Sequence, residues 1–82
     1  MSNIVLSKHA KEQLVVRAIS EEFVWATLDN TKPYIVEDGL TVYHGVVSEN
    51  NKQYLIRIFV NEEVNPNLIV TVYKTSKISK YL

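Results

Sequence analysis

Residues 29–48 read DNTKPYIVEDGLTVYHGVVS, and within this stretch the apolar spacing changes from helical to alternating. Pro33 cannot continue a helix and pushes Lys32 toward extended backbone, so Asp29-Asn30-Thr31-Lys32-Pro33 closes whatever helix precedes it. Beyond it, residues 34–37 read as a short strand, and Asp38-Gly39 is a strong hairpin turn. Residues 40–48 form a second strand. Asn50-Asn51, both tolerant of left-handed backbone, turn the chain into a third over residues 53–60. Asn65-Pro66-Asn67 breaks the chain once more before residues 68–74. These strands are rich in Val, Ile, Thr, Tyr and Phe, which suit a pleated, half-buried surface. The closing TSKISKYL predicts a last helical turn.

Toward the N-terminus the pattern is helical. Ser7 is a good N-cap for a helix through about Arg17. Leu6, Ala10, Leu14 and Ala18 make a buried stripe, with His9, Gln13 and Arg17 stacked on the stripe beside it. Ser20 caps a second helix over residues 21–28, with Glu21 and Glu22 in the first turn, where negative charge favours the helix dipole. Phe23, Val24 and Leu28 are available for burial. The expectation is an α+β fold in a single domain over residues 1–82, with two N-terminal helices packed on an antiparallel sheet of three to four strands.

Composition narrows the function classes. The chain has 82 residues, 46% of them hydrophobic, and no cysteine, so its core is built from aliphatic and aromatic burial without disulfides or thiolate metal sites. Its two histidines stand far apart and its two glycines cannot build a phosphate loop, so neither a metal nor another cofactor is expected. No apolar run approaches bilayer length, and the N-terminus lacks the pattern of a secretory signal, which predicts a cytoplasmic protein without membrane contact. Net charge is zero but unevenly spread. Lys8, Lys11 and Arg17 face one acid in residues 1–19, and Lys74, Lys77 and Lys80 are unopposed in residues 64–82. Between them, Lys32 stands against six carboxylates in residues 20–50. Basic chain ends of this kind can assemble into a phosphate-binding face.

Strand register sharpens the expectation. With Asn50 and Asn51 at the turn, His44 falls opposite Arg57, while Tyr43, Val47, Tyr54, Ile56 and Ile58 share the face under the helices. Closing the next hairpin with Val60 opposite Leu68 sets Thr71 opposite Arg57 and Tyr73 opposite Leu55. One face then presents His44, Arg57, Thr71 and Tyr73, provided that neither hairpin slips by one residue. Metal-free RNA cleavage needs a base for the 2′-hydroxyl, a cation for the phosphorane and an acid for the leaving 5′-oxygen. Histidine, arginine and tyrosine or lysine have the chemistry for those roles.

The order of elements and these residues resemble the RelE/ParE and BrnT superfamily of small bacterial toxins. More closely, LSKHAKEQLVVRAISEEFV is similar to the opening of an uncharacterised bacterial domain family in that neighbourhood, through His9-Ala10, Arg17 and Ile19-Ser20-Glu21-Glu22. The closing LIVTVYKTSKISKYL resembles that family's final strand and tail at Thr71, Tyr73, Lys77 and Tyr81. Gln13 stands where the family often has arginine, and Ala18 where it often has glycine. The resemblance implies a RelE-like fold, a toxin-like metal-independent endoribonuclease and a partner antitoxin. The corresponding site is His9, Arg17, Arg57 and Tyr73 as catalytic residues, with Lys8, Thr71, Lys74 and Lys77 contacting RNA.

Each residue also has a plainer reading. His9 can pack the first helix, Arg17 can pair with Glu21 or Glu22 at the surface, and the C-terminal lysines can be a solvated tail. Trp25 reads as a core or interface anchor. The alternative function is a non-catalytic interaction module that uses the open sheet face or an exposed strand edge, with a protein partner or a second copy bound there.

Overall fold

The computed structural model describes residues 3–81. The chain begins with a strand, β1 (Ile4–Leu6), followed by α1 (Lys8–Val16) and α2 (Glu21–Asn30). Four strands follow: β2 (Ile35–Glu37), β3 (Leu40–Glu49), β4 (Lys52–Asn61) and β5 (Asn67–Thr75), and then a short 3-10 turn over Ile78–Lys80. The fold is α+β, with one five-stranded sheet in the order β1-β5-β4-β3-β2. Helices come before most of the sheet, as expected, and none interrupts residues 34–73.

The strand count and the purely antiparallel sheet are corrected. β1 pairs parallel to β5, Ile4 with Asn67 through Leu6 with Ile69, which makes the sheet mixed. Three residues cannot display a period of two, and Leu6 also fits the helical stripe of Ala10 and Leu14, so the first strand is hidden inside the helix pattern.

Local chemistry sets the helix ends. Ser7 Oγ accepts from the Ala10 amide at 2.9 Å, and Ser20 Oγ from the Phe23 amide at 3.0 Å. α1 ends in a Schellman arrangement: the Ala18 amide donates to the Val15 carbonyl and the Ile19 amide to that of Leu14. Ala18 there has φ +54, the left-handed region that glycine adopts without strain, and Ile19 and Leu14 both join the core.

Both tight hairpins form as read. Asp38 and Gly39 have φ +51 and +79, and Asn50 and Asn51 have φ +51 and +65, the positive pairs that type I′ turns require. His44 pairs with Arg57. The β4–β5 hairpin differs from the expected register. It closes one residue later, with Asn61 opposite Leu68, and a bulge leaves Val70 unpaired between Ile69 and Thr71. Arg57 therefore faces Tyr73, and Thr71 faces Phe59. Two one-residue shifts restore the odd–even parity, so Arg57, Thr71 and Tyr73 keep a common face.

The helices cover the opposite face. Ala10, Leu14, Ile19 and Val24 pack with Ile56, Ile58, Val60, Ile69 and Val72. Gly45 lies beneath α2, where an added Cβ would stand 2.7 Å from Thr27 Oγ1 and 2.9 Å from the Phe23 ring. Gly45→Ala is expected to force α2 off the sheet and destabilise the fold by roughly 1–3 kcal/mol. Urea unfolding of the two proteins measures it, and equal midpoints would contradict this packing.

Candidate active site

α1 runs beside β5 and is fastened at both ends. Ser7 Oγ donates to the Val70 carbonyl at 2.9 Å, and Lys74 Nζ donates to the Arg17 carbonyl at 3.3 Å. With Ala10 and Leu14 turned into the core, the neighbouring stripe of His9, Gln13 and Arg17 faces the other side of β5. It meets Arg57, Thr71 and Tyr73 there across an open cleft of about 440 Å³. Phe59 and Tyr81 complete its aromatic walls, and among the described residues no carboxylate lines it.

Each side chain has a definite setting. His9 is exposed at the start of α1, available to solvent and not packed into the core. Arg17 donates through Nε to Gln13 Oε1 at 2.7 Å, and its guanidinium carbon lies 4.9 Å from the centre of the Tyr73 ring. Its remaining four N–H donors have no partner among the described residues. Arg57 is only 7% exposed. Its Nη2 donates to Glu37 Oε2 at 2.7 Å, its Nε donates to His44 Nε2 at 3.0 Å, and the Tyr81 ring stacks 4.3 Å from its guanidinium carbon. Arg57 is thus a fixed, partly neutralised cation at the cleft floor, and Arg17 is the more available one.

No protein-family model, curated protein or solved structure matches the chain. The cleft is read on its own chemistry. It brings together His9, Arg17, Arg57, Thr71 and Tyr73, all singled out from sequence. It does not gather the lysines. Lys8 and Lys77 are exposed outside its lining. Lys74 projects from the other face of β5, where it pairs with Glu49 at 2.6 Å. Among the described residues no helix is long and apolar enough to cross a membrane, and no group of acids and histidines could hold a metal ion.

Sequence reasoning did not assign roles to Gln13, Glu37 or Tyr81. The i, i+4 spacing of Gln13 and Arg17 carried the first. Glu37 reaches Arg57 only through the fold, and nothing local announces it; the tail's resemblance marks Tyr81, but its stacking on Arg57 also depends on the fold.

His44 is held neutral. Its Nε2 accepts from Arg57, so its proton belongs on Nδ1, which is buried without a partner, and Tyr34 stacks on the ring at 4.2 Å. Burial foremost, then the Arg57 charge, lower its pKa from 6.5, and Glu37 opposes them. The unfolded chain therefore takes up this proton first as pH falls. The stabilisation is complete above about pH 6.5 and declines below it until His44 itself is protonated. Histidine ring signals followed by NMR are expected to titrate later for His44 than for a free histidine. His44→Gln is expected to flatten the loss of melting temperature between pH 7 and 5. A His44 midpoint at or above the free value would remove the neutral brace.

Proposed function

We propose that the cleft binds an RNA phosphate and that the chain is a metal-independent endoribonuclease of the toxin type. The observation that carries this reading is the meeting of His9, Arg17, Arg57 and Tyr73 around one cleft in which, among the described residues, no carboxylate takes part in the lining. His9 is the base that takes the 2′-hydroxyl proton. The freed 2′-oxygen attacks phosphorus, Arg17 offers its unpaired N–H groups to the phosphorane, and Tyr73 returns a proton to the departing 5′-oxygen. The products are a 2′,3′-cyclic phosphate and a 5′-hydroxyl, so protons and bonds balance without a co-reactant. Arg57, locked by Glu37 and His44, supplies a fixed positive potential below the phosphate. The RelE-like resemblance of the chain ends supports the same reading and implies an antitoxin as its protein partner.

The test is cleavage of an oligoribonucleotide by the purified chain, with and without ribosomes, against an oligonucleotide lacking the 2′-hydroxyl at the scissile position. Cyclic-phosphate products from the first alone support the proposal. Intact RNA in every arm, together with unimpaired growth and intact RNA in bacteria induced to express the chain, overturns it.

One observation favours the interaction module instead. At the β2 edge, Tyr34, Ile35 and Val36 are 51%, 46% and 65% exposed, an apolar strand edge of the kind to which another strand can add.

A further inference from the structure

A second cleft opens on the helix-bearing side of the sheet, between α2 and the ends of β1, β3 and β4. It measures about 430 Å³ and is lined by Trp25 and Asp29 from α2, Tyr43 from β3, and Glu62 just beyond β4, with Ile4 and Leu28 among its apolar walls. Among the described residues, none of those lining it is basic. Its chemistry is the inverse of the proposed RNA cleft: two carboxylates and two aromatic rings.

Glu62 is oriented by the sheet. Thr41 Oγ1 donates to its Oε1 at 2.9 Å and the Tyr43 hydroxyl to its Oε2 at 2.9 Å. Burial and the Glu62 carboxylate push the Tyr43 phenol up to about 12, so it remains a donor across the physiological range. An ionised carboxylate has about two acceptor sites per oxygen, so each Glu62 oxygen retains one, and the pair can take a forked donor. Trp25 is anchored at its rim through Nε1 to Glu21 Oε1 at 3.2 Å, which leaves the indole ring as a wall.

We propose that this cleft receives an arginine side chain from a basic segment of a partner protein. A guanidinium is planar, stacks on Trp and Tyr faces and matches a carboxylate bidentately. An ammonium is more strongly hydrated and gains less on entering such a site. The partner's charge follows from the cleft itself: Asp29 and Glu62 are in its lining, Glu21 holds its rim through Trp25, and among the described residues no ion pair neutralises any of the three. The inference does not rest on RNA cleavage, since it concerns a separate cleft with the opposite charge.

Trp25 is the only tryptophan, so its fluorescence reports on this site alone. The probes are acetyl-Gly-Arg-Gly-amide, its lysine analogue and its citrulline analogue, which keeps the arginine shape without the charge. The arginine peptide is expected to give a saturable emission change at low ionic strength. The lysine peptide should bind several-fold more weakly, and the citrulline peptide should give no saturable change. Glu62→Gln is expected to weaken arginine binding by roughly tenfold or more. Asp29→Asn, which removes no hydrogen bond seen within the fold, should weaken it as well, with unfolding midpoints confirming that each variant is folded. Equal binding of the citrulline peptide, absence of saturation by the arginine peptide, or undiminished binding in a folded Asp29→Asn protein would each overturn the assignment.

Discussion

His9→Ala and Tyr73→Phe are each expected to lower RNA cleavage by roughly a hundredfold or more, the usual consequence of losing a general acid or base. The changes are chemically narrow. His9 is exposed at the start of α1, and alanine is a good helix former there. Phenylalanine keeps the ring on which the Arg17 guanidinium rests and removes only the hydroxyl. Melting temperatures should therefore change little, while single-turnover rates fall. Bound RNA should remain with Arg17 and Arg57, with affinity declining as salt rises because phosphate contacts release counterions. Wild-type rates in both variants would place the chemistry elsewhere. A loss of binding equal to the loss of rate would make His9 a contact and not a base.

Leu55→Ala is expected to cost about 2–5 kcal/mol, as for a large-to-small change at a fully buried site. Leu55 shares the face of Arg57, opposite the helices, yet it is completely buried, as is Val42 on the neighbouring strand. The 3-10 turn packs against β4, and Tyr81 beyond it stacks on Arg57. The expectation of an open sheet face is thus corrected for the middle of the sheet. A solvated position would change stability by no more than about 0.5 kcal/mol, so urea unfolding separates the two cases cleanly. For a chain of this length such a loss is a large part of the usual 5–15 kcal/mol, roughly stated, that folding provides. The Leu55→Ala protein is expected to populate the unfolded state measurably at 37 °C.

Much of this arrangement is legible in the residues because its determinants are local. Ser7 and Ser20 announce helix starts, Pro33 marks the change of period, and Asp38-Gly39 and Asn50-Asn51 fix the first two hairpins and with them the pairing of His44 with Arg57. The stripe of His9, Gln13 and Arg17 follows from helical spacing alone. What escaped depends on distant partners. β1 exists because β5 offers it an edge, and the latch between Ser7 and Val70 spans 63 positions. The covering of Leu55 and the locking of Arg57 by Glu37 likewise depend on segments that meet only after folding. The later closure of the third hairpin was also hidden, since Asn65-Pro66-Asn67 marks a break without stating which residues face each other across it.

The unpaired Val70 has a consequence for how such a chain can vary in length. The bulge sets one residue of β5 aside: Val60 faces Ile69 and Phe59 faces Thr71, with Val70 outside the pairing between them. Deleting Val70 would join those two pairs into a continuous ladder and leave Tyr73 opposite Arg57 and Lys74 opposite Ile56, each on its present face. Losing a second residue there would turn every later side chain of the strand over, bringing Tyr73 beneath the helices. This strand should therefore accept the loss of one residue at Val70 more readily than the loss of two.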